Sequence, residues 1–263
     1  ADGLRDALPL DYPPERLSTV SGAFTDGTVI GVTIVPPGEQ ALGYTRAPAA
    51  LLRFTTDGRL RDTLAEFRGP ERVVQAGPIG GEPDRRPMRA VSVPFGRGTL
   101  WSVGGASVLL FDTERCGIER RDGDGRLLQR LDLACAIEAV TERDRRQFLT
   151  EVLATARSAA DSTIRRRFVE QATFPPTKAT GSGLITDAWD RIWVRRPVSS
   201  ADEPWRWQVF AADGTPLATF RLGRDWRIAA VRPTDLLLVA SERDDAPPVV
   251  GRVRLPDALV TAP

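Results

Sequence analysis

Residues 183–222 read GLITDAWDRIWVRRP, then a polar gap, then WRWQVFAADGTPLATFRL, and this stretch decides the fold. Leu184-Ile185-Thr186 is short and β-prone, Asp187-Ala188-Trp189-Asp190 breaks it, and Ile192-Trp193-Val194 is again β-branched and aromatic. Pro197 ends that strand, and Val198 to Pro204 reads as loop. Trp205, Trp207 and Val209 alternate with Arg206 and Gln208, the period of a half-buried strand. Asp213-Gly214 supplies a hairpin turn, because Gly tolerates positive φ and Asp bonds its own backbone. Leu217 to Leu222 returns, with Pro216 early in the strand, where a missing N–H costs least. The stretch is therefore one unit of four short antiparallel strands.

Parts of that unit recur. DGTPLATFRL begins at Asp213, DGRLLQRLDL at Asp124, DGRLRDTLAEF at Asp57 and DGLRDALPL at Asp2. In each, Asp-Gly is followed by a strand of about seven residues, a common strand length. WRWQVFAA, GIERRDG and LLRFTT supply the preceding strand for the first three. Repeats of roughly 40–50 residues with four strands each point to an all-β fold, a β-propeller of four-stranded antiparallel blades. The whole chain, residues 1–263, reads as one such domain.

The blades follow in order. The first runs from Leu17 to Phe67, with strands near Thr19–Phe24, Val29–Val35, Leu51–Phe54 and Leu60–Phe67. Gly69 to Pro87 is rich in Gly and Pro and reads as loop; no GK[ST] follows and no helix opens there, so it is not a phosphate cradle. The second blade runs from Ala90 to Leu133, the third is the opening stretch, and the fourth runs from Ile228 to Leu255 with three visible strands. The chain starts on an Asp-Gly turn. The expectation is a truncated N-terminus, the alternative being that Leu4–Leu10 closes the ring against the last blade.

One segment breaks the β pattern. From about residue 138 to 175, Phe148, Leu149, Val152, Leu153 and Ala156 fall on one helical face. Thr141 is a fair N-cap, with Glu142 and Asp144 suited to the first turn. Ile164, Phe168 and Val169 suggest a second short helix, stopped by Pro175-Pro176. This helical insertion is placed to cover one mouth of the ring and carries Arg143, Arg145 and Arg146, whose plainer role is a solvated helix face.

Composition narrows the function. With 36 basic against 35 acidic residues, the chain lacks the basic excess of a nucleic-acid surface. Its basic residues are arginines except Lys178. No apolar run reaches the length of about 18 residues that a spanning helix needs. The chain contains no His, which removes imidazole-based nucleophile systems, acid/base chemistry and metal ligation. Cys116 and Cys135 sit nearly symmetrically about the Asp122–Gly125 turn: a cross-strand disulfide is one reading, two buried thiols the other. The six Trp residues sit mostly at strand positions and read as core between blades. Trp205 and Arg206, following a loop, are the best placed for a ligand rim, with Arg195, Arg143 and Arg146 as further candidates. No cofactor is expected beyond a carboxylate-only calcium site on Asp187 or Asp235, residues that sit in turns where Asp is common for backbone reasons. Glu242, Asp244 and Asp245 read as a solvated acidic turn.

ITDAWDRIWVRR, WQVFAADGTPLATFRL and LLLVASERDDAPPVVGRVRL, together with LLRFTTDGRLRDTL and SVPFGRGTLWSVGG, resemble a family of bacterial six-bladed β-propellers with an NHL-repeat or TolB-like layout. The resemblance covers most of the chain, and Asp190 stands where the pattern usually has Gly. It implies a partial copy, four of six blades, of an exported protein: periplasmic, in the outer envelope or secreted. It further implies a non-catalytic binding or scaffold role with a protein, peptide or glycan ligand. The alternative is a metal-assisted hydrolase or lyase of the kind found on other six-bladed propellers. Lactonases among them hold calcium with carboxylates and Asn, and this chain has no Asn.

Overall fold

A computed structural model describes residues 10–13, 17–34, 43–76, 88–154, 156, 158–170, 172–198, 203–240, 249–256 and 259. The fold is all-β: four antiparallel sheets arranged as successive propeller blades, with a helical pair between the second and third. The first sheet holds β1 (Leu17–Ala23), β2 (Val29–Ile34), β3 (Gly43–Phe54), β4 (Leu60–Ala76) and β5 (Met88–Ser92). The second holds β6 (Thr99–Gly104), β7 (Ser107–Asp112), β8 (Gly117–Asp122) and β9 (Leu127–Asp132). The helices are α1 (Glu142–Ala154) and α2 (Ala159–Glu170). The third sheet holds β10 (Gly183–Thr186), β11 (Ile192–Arg196), β12 (Trp205–Phe210) and β13 (Pro216–Leu222). The fourth holds β14 (Trp226–Val231), β15 (Asp235–Ala240) and β16 (Val250–Arg254). In every sheet the strands lie in sequence order.

The Asp-Gly turns share one geometry. The residue opening each turn donates its N–H four residues on and accepts from the Gly: Thr55 with Arg59 and Gly58, Asp122 with Arg126 and Gly125, Ala211 with Thr215 and Gly214. The Gly residues stand at φ of 81–89°, which a hairpin of this type requires. Asp187, Asp190 and Arg191 repeat the same bonds, so Asp190 occupies the glycine position at φ 61°. All these turns lie on one face of the propeller; the strand ends carrying the helices lie on the other.

Period-2 burial then glues the blades. In β7, Leu109 and Phe111 face Ile192, Val194 and Phe210 of the third blade, while Val108 and Leu110 face Ile30, Val32 and Leu51 of the first. Trp193, between Ile192 and Val194, points the other way, into a cluster with Leu236, Leu238 and Leu255 of the fourth. β7 and the first half of β11 are thus buried on both faces, as continuous runs such as SVLLF require. Each fully buried side chain contributes about 1.5–3 kcal/mol. β6 packs against its neighbours on both sides: Thr186 donates its N–H to Ser102 Oγ at 2.9 Å, and Gly22 lies against Val103.

The structure departs from the sequence reading at residues 69–76. They are strand, the far half of β4, and β5 pairs there rather than in the second blade. A bulge between Arg46 and Pro48 accommodates Gly69-Pro70, and a Cβ on Gly69 would come within 2.8 Å of Ala47 O. Gly and Pro mark a bulge here, not a loop. The segments 1–9 and 241–248, with Leu4, Glu242, Asp244 and Asp245, lie outside the described residues.

Candidate functional site

The helical insertion leaves β9 and returns to β10 on the mouth opposite the Asp-Gly turns. It is pinned at its root by a bridge between Ala139 and Thr177 and by Lys178 N–H donating to Glu138 O at 2.8 Å. Thr141 caps α1, its hydroxyl donating to Asp144 Oδ2 at 2.7 Å while accepting from the Asp144 N–H. Phe148 of α1 meets Phe95 and Phe174 at centroid distances of 6.3 and 6.0 Å. Lys178, the chain's one lysine, is buried beneath the helix against Asp144 at 2.8 Å.

Between this root and the third blade lies a cleft of about 170 Å³, lined by Glu138, Lys178, Arg196, Arg206, Gln208 and Thr219 among others. Its wall follows from strand register. Arg196 pairs with Arg206 across β11 and β12, and Arg206 with Arg221 across β12 and β13. Directly paired residues project from the same face, so three like charges stand in a row, an arrangement that repels itself. Gln208 and Thr219 form the next row inward. Arg196 donates to Ala136 O at 3.0 Å, but its Nη1 and the buried Oε1 of Gln208 have no hydrogen-bond partner among the described residues. Burial pushes the Arg196 guanidinium below its ordinary value; Glu138 opposes that shift and Arg206 adds to it. A wider groove of about 480 Å³ continues from Glu138 and Lys178 past Thr141, Arg143, Gln147 and Glu203.

A second cleft on this mouth, about 350 Å³ between the first two blades, is different in kind. Arg46 and Arg97 both hold Glu114, at 2.6 and 3.0 Å, and Arg97 holds the buried Glu71 at 2.6 Å. Arg97 is held well above its ordinary value, chiefly by its bond to Glu71. Arg46, Arg97, Glu71 and Glu114 thus satisfy one another and clamp blade to blade, while Glu66, Arg68 and Arg115 also line the cleft.

The structure divides the sequence candidates. Arg206 lines the cleft and Arg143 the adjoining groove; Arg146 is exposed on α1 and lines none of the three clefts described. Trp205 and Arg195 lie on the opposite face of the third blade, where the guanidinium carbons of Arg195 and Arg224 stand 4.3 and 3.9 Å from the Trp205 ring centre. Arg195 also donates to Ser182 O at 2.7 Å. Cys116 and Cys135 form a disulfide with Cα atoms 6.1 Å apart. Asp187 and Asp235, the calcium candidates, both hold arginines. Asp187 accepts from Arg191 Nε at 2.7 Å, Trp193 Nε1 at 2.8 Å and two backbone N–H groups. Asp235 holds Arg252 at 2.6 Å. Among the described residues no three or more His, Cys, Asp or Glu side chains gather where they could hold a metal ion together. Arg196, Gln208, Lys178 and Glu138 were not singled out as site residues from sequence. Laying the two hairpins of residues 183–222 side by side would have shown the arginine row.

No family profile and no curated protein matches the sequence. Among solved structures, the chain is similar to a luciferin-regenerating enzyme, at 12% identity and a TM-score of 0.36 over 87% of this chain and 55% of that one. It is also similar to a eukaryotic initiation factor, at 10% identity and a TM-score of 0.34 over 94% of this chain and 54% of that one. The chain thus spans about half the length of each. The propeller assignment rests on the sheets and clusters described above.

Proposed function

We propose that this chain is a binding module that acts outside the cytoplasm, in the periplasm, outer envelope or extracellular space, and takes its ligand on the mouth carrying the helices. One observation carries the reading: the cross-strand row of Arg196, Arg206 and Arg221 meets no carboxylate ion pair among the described residues, and Arg196 and Arg206 of that row line a cleft. Self-repulsion held on a concave wall is offset when a partner docks there. The Cys116–Cys135 disulfide supports the compartment, since such bonds persist in oxidising surroundings. The resemblance to bacterial six-bladed propellers belongs to the same proposal, carried by the recurring Asp-Gly hairpins. The ligand class is a protein, peptide or glycan, and no catalytic step is assigned to any residue.

The test is an amide chemical-shift titration with a panel of capped acidic, basic and neutral peptides and of neutral and uronic oligosaccharides. Shifts gathered at Arg196, Gln208 and Lys178 are expected from at least one probe. Shifts elsewhere, or from no probe, overturn the site. Turnover of a substrate that Asp or Glu substitutions abolish overturns the non-catalytic assignment.

A further inference from the structure

The occupant's chemistry can be read from the cleft, granting the binding proposal just made. We infer that the cleft takes a single carboxylate from an acidic side chain of a peptide, set between Arg196 and Arg206, with the peptide backbone running on into the groove beneath α1.

Four features carry this. First, Arg196 and Arg206 are opposed on one face, and a carboxylate between them accepts from both and converts repulsion into two charge-assisted bonds. Second, the walls limit the charge. Glu138 lines both the cleft and the groove, and Glu203 lines the groove. One carboxylate matches Arg196 and Arg206, whereas a run of them, or a phosphate dianion, meets repulsion from both glutamates. Lys178 stands 2.8 Å from Asp144 and 3.5 Å from Glu138, and its one charge does not offset both carboxylates. Third, the volume of about 170 Å³ equals the liquid volume of about six waters at roughly 30 Å³ each. That admits a carboxylate side chain. Fourth, the groove beyond is polar along its length, with Ala139 the one apolar side chain among its lining residues, surroundings suited to a peptide backbone. No described residue lining either space is aromatic, whereas sugar rings pack on aromatic faces.

Gln208 fits the same picture. Its orphaned Oε1 lies one register step inward of Arg206, where a backbone N–H of an entering peptide would find it after a side-chain rotation.

The experiment titrates the full chain by amide chemical shifts with three probes: a capped pentapeptide with a central glutamate among serines and glycines, its glutamine counterpart, and a uronic hexasaccharide. The glutamate peptide is expected to shift Arg196, Arg206, Gln208 and Lys178. Affinity is expected to fall roughly 10-fold or more for the glutamine peptide, the loss of a charge-assisted bond. Arg206→Gln should cause a similar loss; Arg206 is exposed, so the fold survives its replacement. Arg227→Gln, on exposed β14 surface, should change nothing. Raising salt should weaken the glutamate peptide alone. Equal binding of the two peptides overturns the inference, as does tighter binding of the uronate or an unchanged affinity in Arg206→Gln. If none of the three binds but another probe of the wider panel maps to the cleft, the carboxylate inference falls and the binding site stands. If nothing binds, both fall.

Discussion

At Gly125 a single hydrogen decides how two blades approach. The residue stands at φ 81°, and a Cβ there would meet Leu64 O at 2.5 Å and Leu64 Cα at 3.0 Å in the first blade. Gly105 has φ 56° with nothing within 4 Å of its would-be Cβ. The two separate backbone strain from steric contact. Gly105→Ala should lose about 1 kcal/mol, the ordinary cost of a left-handed L-residue. Gly125→Ala should lose more, about 2–4 kcal/mol, since backbone cannot give way as a side chain tip can. Urea unfolding of the two variants beside the parent measures the difference; equal losses would show that the blades separate freely at this point. Asp190 tolerates the same region at φ 61° because its side chain is short and polar.

At the scale of the element, two devices hold the mouth that carries the helices. The Cys116–Cys135 bond closes a loop of 19 residues around the β8–β9 hairpin. Loop-closure arithmetic assigns such a bond about 3 kcal/mol. The double variant Cys116→Ser/Cys135→Ser, or reduction of the parent, should lower the urea midpoint accordingly, and a thiol assay under denaturant should find no free thiol before reduction. The second device is the pair between Glu71 of β4 and Arg97, on the segment that joins β5 to β6. Burial pushes the Glu71 carboxyl up, but the side-chain and backbone hydrogen bonds from Arg97 outweigh it and hold the group below its ordinary value. A folded value below the unfolded one means stability that is fully present above the ordinary carboxylate range, near about pH 4.3, and lost as pH falls through the folded value. Glu71→Gln should therefore unfold more easily at pH 7 and show a flatter acid limb; an acid limb matching the parent's would remove Glu71 from the account. The elements themselves were largely legible in sequence, because Asp-Gly turns and period-2 runs are local signals. β3 and β4 were not fully legible: their continuation through Pro48 and Gly69-Pro70 depends on a bulge that exists only once the two strands are paired. The cleft was half legible for the same reason. Arg206 follows a loop and attracts notice alone, while Arg196 gains meaning only from the register that sets it opposite.

At the scale of the molecule, the arrangement is a series of nearest-neighbour interfaces. One cluster joins the first blade to the second, one the second to the third, and one the third to the fourth. Stability should then be close to a sum of blade and interface contributions, as in other repeat architectures. Double-mutant cycles distinguish this from a single shared core. Phe111 and Val194 belong to one cluster and both line the close approach of Gly181, so Phe111→Leu and Val194→Ala share a cavity. Their combined loss should differ from the sum of the single losses by about 0.5–3 kcal/mol. Leu51 and Leu238 lie in different clusters with whole sheets between them. Leu51→Ala and Leu238→Ala should each cost about 2–5 kcal/mol and should add to within about 0.5 kcal/mol. The measurement is equilibrium unfolding of both cycles by tryptophan fluorescence, which reports mainly on the third blade, and by far-UV circular dichroism, which reports on all four. If Leu51→Ala makes the two probes part company while Val194→Ala does not, the first blade unfolds ahead of the interface at Ile192 and Val194. If coupling between Leu51 and Leu238 equals that between Phe111 and Val194, the blades share one core and the nearest-neighbour description is wrong.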